Sequence, residues 1–260
     1  MTLKLPIPFL IDFDGVINLY NELAPQAKAF FDFIQNHNLP AFILSNSTLR
    51  TSRDVKDFLE KHGLHTKIPI MTAADAALKY VEKNYEKVSV YSVESVKKEF
   101  VKFLDDKNPQ AVVVGDLVDG WSVEVLNEIF LKVKNGADII AMHMNRYWSP
   151  EKDKYVLDAG SYISAIEYAT EKKATLIGKP SPIYFQTALE MLDYSKNDPF
   201  LMLGDDLESD ITPVQKMGGK SILILTGKTK LPIPDSSSPD FIAENLSEVT
   251  GILKKIHSLD

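Results

Sequence analysis

Four short polar runs in this 260-residue chain each come directly after an apolar run, and together they hold side chains for one kind of chemistry. They are Asp12-Phe13-Asp14-Gly15-Val16, Ser45-Asn46-Ser47, Gly178-Lys179-Pro180, and Gly204-Asp205-Asp206 with Asp210 beyond. Between them they supply carboxylates, hydroxyl, amide and one ammonium. Three carboxylates brought within about 4–6 Å repel one another, and one is forced to keep a proton unless the charge is compensated. A phosphate dianion worsens the imbalance. A divalent hard cation resolves it, because magnesium takes carboxylate, carbonyl and water oxygens together with substrate phosphate. Lys179 adds a compact positive charge. The set therefore makes physical sense with cation and phosphate both present in one pocket.

Roles come from position. Asp12, just past its apolar run, presents a carboxylate nucleophile, and an aspartyl-phosphate divides one difficult displacement into two easier ones. Asp14, two residues on, is placed to act as general acid on the leaving oxygen and then as base for the hydrolytic water. Gly15 permits the tight turn that frees the backbone at this point. Ser45 and the backbone around Asn46 and Ser47 can donate hydrogen bonds to phosphate oxygens. Asp205 is the second carboxylate for the metal, and Asp210 a candidate for orienting metal-bound water or Lys179.

The elements that must position these residues are short apolar runs alternating with amphipathic stretches, the pattern of a parallel α/β sheet, in which ligands bind beyond the carboxyl ends of strands. Strands are expected at Pro8–Ile11, Ala41–Leu44, Val88–Tyr91, Ala111–Val114, Asp138–Met142, Thr175–Ile177, Phe200–Leu203 and Ser221–Leu225. Helices are expected from Pro25 to near Asn38, from Thr51 or Ser52 to Gly63, around Val93–Leu104 and Val123–Val133, from Gly160 to about Glu171, and from Ser181-Pro182 to Leu192. A short one comes next, capped by Ser209 and ended by Gly218-Gly219, and a last one covers Ser247–Ile256. Lys228 to Pro239 reads as a surface loop. Val114-Gly115-Asp116 also ends an apolar run but lacks a serine–aspartate partner at the right distance, so Asp116 and Asp119 are read as turn residues.

Composition is that of an ordinary soluble globular protein: 45% of residues are hydrophobic and 25% charged. A net charge of −7 argues against nucleic acid as a partner. With no cysteine there is neither disulfide nor thiolate chemistry, which fits a reducing, cytoplasmic setting. The apolar opening from Leu3 to Ile11 holds two prolines and stops at Asp12, too short to span a bilayer and without a cleavage site, so it is read as a first strand and no membrane partner is expected.

These residues resemble the motifs of the haloacid dehalogenase-like superfamily: D-x-D-G-[TV] at Asp12–Val16, an apolar strand ending in Ser at Ile43-Leu44-Ser45, a lysine at Lys179, and G-D-x-x-x-[ST]-D from Gly204 to Asp210. The long insertion between serine and lysine resembles the α/β cap of class IIA, the 4-nitrophenylphosphatase-like branch. Glu167-Tyr168-Ala169-Thr170 before Ala174–Pro180 looks especially like haloacid dehalogenase-like hydrolase domain-containing proteins. The resemblance implies a Rossmann-like, doubly wound parallel-sheet core in residues 1–77 and 175–260, with an inserted α/β cap in 78–174. It implies magnesium held by Asp12, Asp205 and the backbone carbonyl of Asp14, phosphate contacts from Ser45, Asn46, Ser47 and Lys179, and a homodimer formed through the cap. The carbon–halogen-cleaving members lack the second aspartate, retained here as Asp14, so phosphoryl chemistry on a small phosphorylated metabolite is favoured.

Two other readings stand beside the phosphatase: a catalytically weak binding or signalling module that keeps the fold, and a phospho-accepting receiver-like switch, disfavoured by the cap-sized insertion. Where many class IIA members carry a Thr-Asn-Pro-Asp-like loop, this chain has Met142 to Trp148. His143, Asn145, Arg146 and Tyr147 could read the leaving group there, with arginine suited to a second anion. Equally, Tyr147 and Trp148 could pack at the cap surface or a dimer seam.

Overall fold

Three of the four apolar runs that precede the polar motifs become strands enclosed on both faces, as a parallel sheet covered by helices requires. In the computed structural model, which describes residues 6–151, 154–195, 197–234 and 237–259, the strands Phe9–Asp12, Ala41–Ser45 and Leu201–Gly204 are buried along their whole length. The chain divides into two compact units, Met1–Ser45, Asp54–Met71 and Pro180–Asp260 in one, and Asn46–Arg53 with Thr72–Lys179 in the other.

The first unit is built on a six-stranded sheet in the order Phe241–Ala243, Lys220–Ile224, Leu201–Gly204, Phe9–Asp12, Ala41–Ser45, Ile70–Thr72. The first five strands of that order pair in parallel. From Phe9–Asp12 the chain winds outward in both directions, so the reversal of strand order falls at the carboxyl end of that strand, where open α/β sheets form their ligand crevice. Ile11 lies in register with Ile43 on one side and Leu203 on the other, and Asp12 with Leu44. Ser45 and Asp205 are therefore the residues that emerge next to Asp12.

Helices cover the sheet through apolar stripes at helical spacing. Ala27–Asn36 buries Ala27, Phe30, Phe31 and Ile34, with Phe30 edge-on to Phe9 at 6.2 Å. Ser52–Lys61 buries Val55 and Leu59, and Leu246–His257 buries Leu246, Val249 and Leu253. The first helix starts two residues after Pro25 because Gln26 adopts a left-handed conformation with φ 62°. Between strand and helix lies a small hairpin absent from the sequence reading, Asn18–Leu19 against Glu22–Leu23, turned by Tyr20 and Asn21 at φ 55° and 66°. Two positive φ values in a row are what a tight two-residue hairpin turn needs.

The second unit holds a four-stranded parallel sheet in the order Thr175–Leu176, Asp138–Ala141, Ala111–Val114, Val88–Tyr91. Helices Val123–Lys134 and Ala159–Thr170 pack Ile129, Val133, Ile163 and Ile166 onto it. A separate antiparallel hairpin joins Tyr147–Glu151 to Lys154–Leu157. Thr175–Leu176 pairs with Ile140 and Ala141, so it belongs to this sheet and not, as the sequence suggested, to the core. The unit also starts earlier than residue 78. Thr72 caps helix Ala73–Asn84 in a capping box with Asp75, whose carboxylate also binds the Ser52 N–H at 2.9 Å and so ties 46–53 to this unit.

The single helix expected around Val93–Leu104 is instead a turn of α-helix, Glu94–Lys97, continued by the 3₁₀ turns Lys98–Phe103. The Asp105 N–H bonds the Val88 carbonyl at 2.9 Å, which pulls the segment back to the sheet edge before a longer helix can run. Residues 1–5, of which 3–5 open the expected first apolar run, and 235–236, within the expected surface loop, lie outside the described residues. No helix among the described residues is long and apolar enough to cross a membrane.

Candidate active site

Three carboxylates meet beyond the strand ends of the first unit. Asp12 closes the Phe9–Asp12 strand, Asp205 comes directly after Leu201–Gly204, and Asp210 sits in the π-helical turn Leu207–Ile211. All three are buried, and one ligand oxygen from each lies within 4.8 Å of the others. The π turn is marked by the Ile211 N–H reaching the Asp206 carbonyl at 3.2 Å, and Asp210 is held in it by its own N–H to the same carbonyl at 3.0 Å and by the Asp206 N–H to its carboxylate at 3.2 Å.

Asp205 is clamped by the loop after Lys220–Ile224. Its Oδ2 accepts the Lys228 N–H at 2.5 Å, and its carbonyl accepts the Thr229 N–H at 3.0 Å. Gly15 and Gly227 press on the same carboxylate so closely that a Cβ at either position would collide with it. Asp206 points to Lys228 Nζ at 2.6 Å and caps the turn through the Glu208 N–H at 2.9 Å. Burial works to raise the Asp206 carboxyl, but the Lys228 ammonium and the Glu208 N–H outweigh it and hold the group below its ordinary value.

Three buried like charges this close need a compensating cation. All the donors in the trio are carboxylate oxygens, the set that suits a hard divalent ion such as magnesium. The residues present therefore fit a metal. The carboxylate of Asp14 is not in the trio: its Oδ1 accepts from Asn18 Nδ2 at 2.7 Å and its Oδ2 from Ser45 Oγ at 3.0 Å. Ser45 is itself fixed from behind, its carbonyl accepting the Tyr184 hydroxyl at 2.6 Å.

The other predicted residues belong to the second unit. Asn46 Nδ2 donates to the Lys179 carbonyl at 3.2 Å, and Ser47 Oγ accepts the Arg50 N–H at 3.2 Å. Lys179 is buried. The structure thus joins Asp12, Asp205 and Asp210, joins Asp14 to Ser45, and separately joins Asn46 to Lys179.

A second cluster, missed by the sequence reading, lies in the second unit. His143 is buried with its Nε2 3.6 Å from Asp158 and 3.9 Å from Asp116. Asp116, read as a turn residue, faces a histidine because Val114 and Ala141 are in register, which brings together the residues just beyond the two strand ends. Asp158 caps helix Ala159–Thr170. Burial pushes its carboxyl up, against the opposing pull of His143 and the Ala159 N–H. The Asn145 N–H donates to His143 Nδ1 at 3.1 Å, which leaves the ring proton on Nε2, toward the carboxylates. His143 is therefore an internal brace of the loop, whereas Asn145, Arg146 and Tyr147 are exposed. The side chain of Trp148 lies outside the described residues.

Comparisons with known proteins agree with this architecture. A family model described as haloacid dehalogenase-like hydrolase matches residues 9–108, and a second, of HAD-hydrolase-like proteins, matches 176–249. The chain is 28% identical to bovine (Bos taurus) haloacid dehalogenase-like hydrolase domain-containing protein 2 over 231 residues, 88% of each chain. It is 33% identical to the phospholysine phosphohistidine inorganic pyrophosphate phosphatase of Xenopus laevis over 156 residues, 58% of this chain and 56% of that one. Among solved structures, the 4-nitrophenylphosphatase of Thermotoga maritima superposes with a TM-score of 0.84 at 26% identity, covering 95% of this chain and 97% of that one. The chain belongs to the haloacid dehalogenase-like hydrolases, with their Rossmann-like core and cap, in the class IIA branch. It is an enzyme of that superfamily.

Proposed function

We propose that this chain is a magnesium-dependent phosphatase that hydrolyses small phosphomonoesters through an aspartyl-phosphate on Asp12. The observation that carries the reading is the buried trio Asp12, Asp205 and Asp210 beside an Asp14 carboxyl held at both oxygens. In the first step an Asp12 oxygen bonds to phosphorus as the bond from phosphorus to the leaving oxygen breaks, and Asp14 gives that oxygen its proton. In the second, water attacks phosphorus, its proton passes to Asp14, and the bond to Asp12 breaks to release phosphate and restore the carboxylate. Asp12, Asp205 and Asp210 would hold the divalent ion, with the Asp14 carbonyl that the family motif assigns to it. When bound, the ion supplies positive charge against the phosphate dianion. Contacts from Ser45, Asn46, Ser47 and Lys179 to phosphate oxygens carry over from the family motifs and belong to the same reading.

A cysteine-free chain suits the cytoplasm. The hairpin Tyr147–Glu151/Lys154–Leu157 exposes Tyr147, Tyr155 and Leu157, which supports a homodimer through the cap. The test of function is release of phosphate from 4-nitrophenyl phosphate and from a panel of phosphorylated metabolites with magnesium present. Activity is expected in the wild type and only background in Asp12→Asn; an Asp12→Asn variant as active as wild type would remove the mechanism.

A further inference from the structure

We propose that Asn18 is a positioning residue that aims the Asp14 carboxyl for proton transfer, a role that rests on the phosphatase reading above. Asp14 is exposed, and an exposed carboxyl is ordinarily free to rotate about its last bond. Here it is not. One oxygen is taken by Asn18 Nδ2 at 2.7 Å and the other by Ser45 Oγ at 3.0 Å, and both donors come from buried residues, Asn18 only 7% and Ser45 0% exposed.

The main chain of Asn18 closes the same loop. Its N–H bonds the Phe13 carbonyl at 2.8 Å, and its carbonyl accepts the Gly15 N–H at 2.9 Å. Behind it the Asn18–Leu19 strand pairs with Glu22–Leu23, so the side chain is presented from a fixed ladder and not from a mobile turn. Asn18 Oδ1 is buried with no hydrogen-bond partner among the described residues. Burying an amide with one end unsatisfied is unfavourable, and the burial is explained if the amide serves the site. By donating Nδ2, the amide fixes the rotation of the Asp14 carboxyl about its last bond. A leucine of similar size would fill the space and make no such bond.

The test uses the full chain with magnesium and reads kcat/KM, which reports transfer of the phosphoryl group to Asp12. The substrates run from 2,4-dinitrophenyl phosphate, whose leaving group needs little protonation, through phenyl phosphate to an alkyl phosphate. In Asn18→Leu the loss is expected to grow along that series, from a few-fold to about 100-fold, as for removal of general acid assistance. In an Asp14→Asn background the same substitution is expected to add almost nothing, because both changes remove one function. A loss equal for all leaving groups, or one that multiplies with that of Asp14→Asn, would show Asn18 to be merely structural and overturn the proposal. Should Asn18→Leu fail to fold, Asn18→Ser, small and polar, is run through the same series with the same criteria. Failure of the underlying phosphatase reading is distinguished by Asp12→Asn, which would then keep its activity.

Discussion

Asp206 and Asp210 hold each other across one π-helical turn, each N–H bonded to an oxygen of the other, at 3.0 and 3.2 Å. That reciprocal pair fixes the third carboxylate of the trio. Asp210 is fully buried, so its charge has no solvent to lean on.

Asp210→Asn keeps the shape and removes the charge. Magnesium should then bind more weakly, by about 10–100-fold as for other groups that support a metal site. Titrating magnesium in the phosphate-release assay, and by calorimetry without substrate, checks this. An unchanged magnesium requirement would place Asp210 outside the metal's influence.

Gly15 has φ +83° and no room for a Cβ against the Asp205 carboxylate. Gly15→Ala is expected to destabilise by about 1–2 kcal/mol through backbone strain alone, and to lose activity further because Asp205 must shift. Urea unfolding and kcat/KM on the same preparation separate the two effects.

The Tyr184 hydroxyl is shared between the carbonyls of Ser45 at 2.6 Å and Met71 at 2.7 Å. Tyr184→Phe leaves buried acceptors unpaired and should cost about 1–3 kcal/mol in urea unfolding. Since Ser45 Oγ holds Asp14, turnover should fall as well, although Tyr184 has no part in the chemistry.

His257 ends the last helix with its Nε2 buried and, among the described residues, unpartnered. Burial pushes its imidazole below the ordinary value of 6.5. The unfolded chain therefore takes up a proton as pH falls through about 6.5 while the folded one does not, so stability present at higher pH is lost as pH falls toward the depressed folded value. His257→Leu should lose less stability than wild type between neutral and mildly acidic pH. Parallel falls in melting temperature for the two proteins would disprove this.

Much of the first unit could be read from residue order. Runs such as Phe9–Ile11, Phe42–Leu44 and Leu201–Leu203 are apolar without interruption, because both faces of their strands are covered, and the polar residue ending each run marks the site. What escaped depends on short or indirect signals. The Asn18–Leu19 and Glu22–Leu23 strands have two residues each, too few to show alternation, so Asn18 gave no hint of its bond to Asp14. Asp210 could be named but not assigned to the trio, since its place there depends on how the loop after Gly204 folds back, which sequence spacing does not announce. The helix Ala73–Asn84 went unread behind its alanines, although Thr72 and Asp75 spell a capping box. Thr175–Leu176 looked like a core strand because a two-residue apolar run does not say which sheet it joins.

The rung next to Asp12 has one more implication. The Phe13 amide bonds the Leu44 carbonyl at 2.9 Å, directly above residues that are completely enclosed. Deuterium can reach that amide only when the central ladder itself opens, which for such a strand means opening of the whole unit. Asp12 is thus mounted on a strand whose amides are expected to be among the slowest to exchange.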